Sequence, residues 1–260
     1  MALESAPPGV DITRPSPARV YDYALGGSAN YPVDRQAAEE VWRVAPETRQ
    51  LARDSRGFLI RAVRFLADEA GIDQFLDIGA GLPTADNVHQ VARRANPRAQ
   101  VVYVDNDPTV RLHAEVLLDG DPNAVFLSGD VRRPEAIIER TRSLLDLDRP
   151  VALLLVAVLH FVAEDPRGIV DRLIAALPPG SHLVIAHTTS ADMDPAFRER
   201  LARTYADAPA PLITRTPEEI EAAFRGRTPL PPGLVDVACW RTAQPRTPGP
   251  LRVLGGVARL

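Results

Sequence analysis

The chain contains no lysine: all 30 of its basic residues are arginine. Its one cysteine, Cys239, excludes a disulfide framework and a cysteine-rich metal site, and reads as a small buried hydrophobe. No His/Cys/Asp/Glu group has metal-ligand spacing, so no metal is expected. The longest apolar run, Val151 to Leu159, is too short to span a bilayer. Residues Met1 to Pro8 lack the basic and apolar segments of a secretory signal. A cytoplasmic protein with no membrane partner is the expectation. A net charge of −4 gives no electrostatic case for nucleic acid. The missing lysine, abundant alanine and 25 prolines look like GC-rich codon bias rather than an arginine-built surface.

What is present is ordinary for a globular chain: 45% apolar and 25% charged residues in 260, enough for one large α/β domain with a helical extension. Ser16-Pro17 pairs an N-cap with a first-turn proline, and Gly26-Gly27 should end that helix. Tyr31-Pro32 should be extended, with helices over 35–44 and 46–71. From residue 74 short apolar strands alternate with helices, the pattern of a parallel sheet. Strands are expected at 74–78, 101–105, 125–128, 151–157 and 182–186. Helices are expected at 84–95, 108–118, 134–144 and 166–177. Beyond Thr189 a helix over 193–205 and a Thr216-Pro217-Glu218-Glu219 capping box precede two final strands at 234–239 and 253–260. The division is a helical N-terminal extension, 1–72, on one globular domain, 73–260.

The chemistry concentrates at Phe75-Leu76-Asp77-Ile78-Gly79-Ala80-Gly81. A strand covered on both faces needs apolar residues, and a turn that lets backbone approach a ligand needs glycines. A turn built for pyrophosphate avoids fixed negative charge. Asp77 instead expects a positive group, and S-adenosyl-L-methionine carries an ammonium and a sulfonium. Asp105 ends the second strand and Asp130 follows the third. Ligands of open parallel sheets bind outside the carboxyl ends of strands, so the three carboxylates should converge. Asp105 stands about twenty-five residues past the glycine turn, near the spacing at which an acidic residue meets ribose hydroxyls. Asp107 reads as the cap of the helix at Pro108; Asp130 could instead cap the helix around Pro134.

Asp77-x-Gly79-x-Gly81, Val102-Tyr103-Val104-Asp105 and Gly129-Asp130 resemble the successive cofactor motifs of class I S-adenosylmethionine-dependent methyltransferases. The segment Pro15-Ser16-Pro17-Ala18-Arg19-Val20-Tyr21-Asp22-Tyr23-Ala24-Leu25-Gly26-Gly27-Ser28-Ala29-Asn30-Tyr31 resembles the opening of a bacterial methyltransferase family formerly classed as a domain of unknown function. The resemblance implies a Rossmann-like α/β fold with a seven-stranded, mostly parallel sheet whose last strand is antiparallel. It implies that Asp77, Gly79, Ala80 and Gly81 meet the methionine part. Asp105 with Asn106 would meet the ribose, Asp130 with Val131 the adenine, and Val156 and Ala157 would lie beside the cofactor. One departure is Pro83, where many such enzymes carry a third glycine.

Arg19, Tyr23, Gly27 and Asn30 line a helix and its end that should fold over the crevice as a lid, with Arg19 pairing the cofactor carboxylate. A plain helix docking through Tyr21 and Leu25 is the alternative. His160, after the fourth strand, is either a general base for the acceptor or a histidine that bonds its own framework. His187 reads as structural; His89 and His113 read as surface residues. The expected reaction is methyl transfer to a small-molecule acceptor. A non-catalytic S-adenosylmethionine-binding regulator and an NAD-dependent oxidoreductase are the alternatives. Asp77 and Thr84 both count against the second.

Overall fold

The computed structural model describes residues 7–204 and 210–260. Helix α1 (Pro17–Leu25) starts where Ser16 accepts from the Arg19 amide, and ends at Gly26 in left-handed backbone, φ +86°. Helix α2 (Pro32–Val44) begins three residues earlier than expected. Extended Tyr31 lets Pro32 occupy the first turn, and the Asp34 side chain reaches back to the Tyr31 amide at 2.8 Å. Helix α3 (Thr48–Asp68) buries Phe58, Ala62, Val63 and Leu66 along one face.

The alternating region follows: β1 (Gln74–Ile78), α4 (Val88–Ala95), β2 (Gln100–Asp105), α5 (Pro108–Leu117), β3 (Ala124–Ser128), α6 (Pro134–Thr141), β4 (Ala152–Val156), α7 (Pro166–Ile174) and β5 (His182–Thr189). Then come α8 (Pro195–Thr204), α9 (Pro217–Ala222), β6 (Val235–Asp236) and β7 (Arg252–Arg259). The expected end of α8 at Tyr205 lies outside the described residues. The seven strands order as β3-β2-β1-β4-β5-β7-β6. Strand β1 pairs in parallel with β2 and β4, while β7 runs antiparallel to both β5 and β6.

Three expectations need correction. Residues 84–87 are not helical: Asn87 caps α4, with Gln90 returning to its amide at 2.8 Å, and Asn87 also accepts from the Thr84 amide. Strand β6 is two residues long because Asp236 turns the chain, accepting from Ala238 through its carboxylate and from Cys239 through its carbonyl. Cys239 itself is only half-buried.

Side chains alternate along β1. Phe75 joins a cluster with Phe58, Leu66 and Trp240 on the α3 face of the sheet; Leu76 and Ile78 join Leu153, Leu155 and Leu173 on the other. Trp240 meets Phe58 edge-on at 5.3 Å between centroids. Helix α3 is thus part of the main core, whereas the buried residues of α1 and α2 belong to neither cluster. By the same alternation Asp77 falls on the α3 face.

Candidate active site

Asp77 is the penultimate residue of β1, opposite Tyr103 of β2 and Leu154 of β4, and 4% exposed. Among the described residues no hydrogen bond reaches its carboxylate. Burial pushes its pKa up to about 7, against the opposing pull of the Arg56 charge and with a small further rise from Asp105.

The turn beyond it is built on glycine geometry. The Gly79 and Ala80 amides both donate to the Val104 carbonyl, at 2.8 and 3.1 Å. Gly79 has φ +75°, and a Cβ there would lie 2.5 Å from Val158. Gly81 has φ +66° with open space where a Cβ would point. Its amide donates to Asp105 at 2.9 Å, and the other Asp105 oxygen accepts from the Asp107 amide at 2.9 Å. Burial raises the Asp105 pKa and these donors oppose the rise. Asp77, the glycine turn and Asp105 therefore share one corner of the sheet edge. Asn106 is exposed beside it.

Asp130 sits one loop further along, linked through the Gly129 amide, which donates to the Asp105 carbonyl at 3.0 Å. Its carboxylate accepts from Arg132, from the amide at 2.9 Å and from the exposed guanidinium, which holds its pKa below the usual range. Val131 is buried with Leu127 and Ile137. Where β4 ends, Val156 is half-buried and Ala157 takes left-handed backbone, φ +60°, with its amide on the Ala186 carbonyl at 3.1 Å. That conformation is strained for a residue with a Cβ, by about 1 kcal/mol or more.

Helix α1 is latched next to this corner. Ser16 donates to Asp107, the cap of α5, and Arg19 Nη1 lies 3.4 Å from Thr109. Tyr21 donates to the Ala52 carbonyl of α3 at 2.8 Å. Helix α2 packs against α8. A cavity of about 540 Å³ lies at the far end of β2 and β3, lined by Gln100, Glu115, Asn123 and Phe126; none of the site carboxylates borders it.

A family model described as S-adenosyl methyltransferase matches residues 3–260. The chain belongs to the S-adenosyl methyltransferase family. A Thermobifida fusca protein, provisionally described as a methyltransferase, is similar at TM-score 0.91 and 41% identity over 97% of each chain. A DUF574 family protein from Streptomyces avermitilis gives 0.90 and 39%, covering 96% of this chain and 98% of that one. An O-methyltransferase family protein from Burkholderia thailandensis shares the fold alone, at TM-score 0.51 and 18% identity over 84% of this chain and 61% of that one. No protein of curated function matches in sequence. The protein is thus a methyltransferase whose cofactor is S-adenosyl-L-methionine.

The residues of this methyltransferase fit that cofactor. A buried carboxylate without a partner suits an ammonium, and the approach of Val158 to Gly79 leaves no room for a Cβ. The lid residues are placed differently from expectation. Arg19 is 3% exposed and its nitrogens are engaged: Nε on Asp34 at 2.8 Å, Nη2 on the Arg14 carbonyl at 2.6 Å, Nη1 toward Thr109. Asp34 is fully buried, so Arg19 is its counter-ion and not a free receptor for a ligand carboxylate. Tyr23 stacks on Trp42 at 5.2 Å and lies toward Glu39 of α2. Gly27 and Asn30 are organised by buried Asp22, which accepts from the Ala29 amide at 2.9 Å and from Asn30 Nδ2 at 2.8 Å. A Cβ on Gly27 would lie 2.0 Å from the Asp22 carboxylate. Gly27→Ala should displace Asp22 and lower stability in urea by about 2 kcal/mol.

In the loop after β4 His160 is buried, with Nδ1 3.2 Å from the Thr188 hydroxyl. Burial and the neighbouring His187 and Arg215 hold its pKa well below 6.5. Its Nδ1 faces the framework at Thr188, and burial disfavours its charged form. His160→Gln should therefore leave no missing ionisation near pH 6.5 in the pH–rate profile. His187 is structural, as expected: it donates from Nδ1 to the Thr188 carbonyl at 2.8 Å and accepts from Arg215 on Nε2 at 2.5 Å. His89, expected at the surface, is buried against the Tyr103 hydroxyl at 2.8 Å; His113 is exposed.

Sequence reasoning missed two residues. Arg215 (8% exposed) also donates to the carbonyls of Leu159, Val162 and Glu164, clamping the loop after β4. Arg56 of α3 donates through Nη2 to the Ala85 and Asp86 carbonyls, just past the glycine turn. Neither had a local signal, because both act on residues distant in sequence.

Proposed function

We propose that this methyltransferase acts on a small-molecule acceptor held under the roof of α1, α2 and α8, with the cofactor lying along the Asp77–Asp105–Asp130 edge. The observation that carries this is the cover: α2 against α8, and α1 latched through Ser16 and Asp107. A folded macromolecule would have to displace both contacts to bring an atom to that edge.

S-adenosyl-L-methionine supplies an electrophilic methyl on a sulfonium. Asp77 would hold its ammonium, the Gly79–Gly81 backbone would lie along the methionine part, Asp105 and Asn106 would take the ribose, and Asp130 with Val131 the adenine. Val156, Ala157 and Val158 would lie beside the cofactor's methyl end. With no free base in the described site, the chain's contribution is orientation and exclusion of water, which can supply much of the acceleration for an in-line displacement.

The test is transfer of labelled methyl from S-adenosylmethionine into a fractionated bacterial extract. Label in the low-molecular-weight fraction is expected. Label confined to protein or nucleic acid would overturn the small-molecule reading.

A further inference from the structure

We propose that Arg56, and not Arg19, is the receptor for the carboxylate of the cofactor's methionine end. The proposal rests on reading the Asp77 corner as the cofactor site, and four observations carry it.

First, Arg56 Nε is buried and has no hydrogen-bond partner among the described residues. A buried donor on a cation is costly to leave unmade, and a carboxylate is the ligand group that a guanidinium satisfies best. Second, the side chain is fixed where such a group would arrive. Its Nη2 spans the Ala85 and Asp86 carbonyls, at 3.3 and 3.0 Å, which anchors the guanidinium to the loop leaving the glycine turn. Third, Arg56 stands within electrostatic reach of Asp77 yet forms no ion pair with it. The corner thus sets a cation near the Asp77 carboxylate without an ion pair between them, the complement of a zwitterion whose ammonium goes to Asp77. Fourth, the competing arginine is spent. Using Arg19 would strip the counter-ion from fully buried Asp34.

Calorimetry with two probes tests this: S-adenosylmethionine, and its decarboxylated form, which keeps the ammonium and sulfonium. Wild-type protein should bind S-adenosylmethionine about 10- to 100-fold more tightly than the decarboxylated probe, the worth of a charge-assisted contact. Arg56→Gln should lose that factor for S-adenosylmethionine and bind the decarboxylated form within about threefold of wild type. Equal losses for both probes would make Arg56 a loop support only, and no loss for either would remove it from the site; both overturn the proposal. If Arg56→Gln fails to fold, the wild-type comparison still decides, because equal affinity for the two probes excludes a carboxylate receptor. Wild-type protein that binds neither probe would sink the cofactor reading of this corner itself, an outcome distinct from failure of Arg56 alone.

Discussion

Asp77→Asn should lose cofactor binding by about 100-fold or more and yet make the ligand-free protein more stable at pH 8. Both effects follow from one buried carboxyl. Its pKa rises from 3.8 to about 7 because burial disfavours the charge and no hydrogen bond compensates. A carboxyl whose pKa is raised by folding binds its proton more tightly in the native state. Stability therefore falls as pH rises from about 4 to about 7, and is level above that. Spread over that interval the cost reaches about 4 kcal/mol. Asparagine removes the titration but introduces an amide that needs partners, so a net gain of about 2 kcal/mol at pH 8 is expected, or about 5 °C in Tm. Near pH 4 the advantage should vanish.

Binding runs the other way. An ammonium placed against Asp77 needs the ionised carboxylate, so complex formation expels the proton below pH 7. Wild-type affinity for S-adenosylhomocysteine should then fall about tenfold per pH unit between 6.5 and 5.5, with proton uptake or release visible in buffers of different ionisation heat. The groups facing Asp77 are Arg56 from α3 and Tyr103 and Asp105 from β2. Burial also raises the Asp105 pKa, so the two carboxyls of the corner share the titration that the affinity reads. Asparagine at 77 that binds within threefold of wild type, or that is less stable at pH 8 than wild type, would show that this carboxylate is not the strained binding group described here.

The same corner shows what a sequence can and cannot disclose. Strand β1 is legible to the residue because a strand covered on both faces must be apolar throughout, and Asp77 stands out against that run. The helix starts at Pro17, Pro108, Pro134 and Pro166 are legible because proline suits only the first turn. The Asp77–Gly81–Asp105 contact follows from topology once β1 and β2 are neighbours. Pairings between side chains are another matter. Arg19 has the right type and place for a ligand, but Asp34, fifteen residues on, takes it. Arg56 is one polar position on the amphipathic helix α3. Its partners at Ala85 and Asp86 lie thirty residues away, and no periodicity encodes them.

Arg215 makes the sharpest test of how the acceptor side is held. Its guanidinium donates to His187 and to three carbonyls of one loop, so a single side chain ties that loop to β5. The acceptance by His187 Nε2 also fixes that ring's tautomer: the proton sits on Nδ1, facing the Thr188 carbonyl. Burial first, then the Arg215 charge, lowers the His187 pKa to about 4, so the clamp is intact throughout the neutral range. Arg215→Met keeps the volume of the stem and removes every donor. Three carbonyls and one ring nitrogen lose a donor, with the Leu159 carbonyl keeping the Val162 amide at 3.3 Å, and with partial rescue by water the expected loss is about 3 kcal/mol in urea unfolding. Amide exchange in residues 158–164 should rise by tenfold or more, since the loop's remaining anchors are few. Affinity for S-adenosylhomocysteine should stay within about threefold, because Asp77, Asp105 and the glycine turn belong to other loops. Exchange unchanged at 158–164, or a cofactor affinity that collapses together with stability, would mean that the loop is held by the sheet and not by Arg215. A stable, cofactor-binding protein with a loosened loop would instead separate the two halves of the site, with carboxylates holding the donor and one arginine shaping the place where the acceptor must fit.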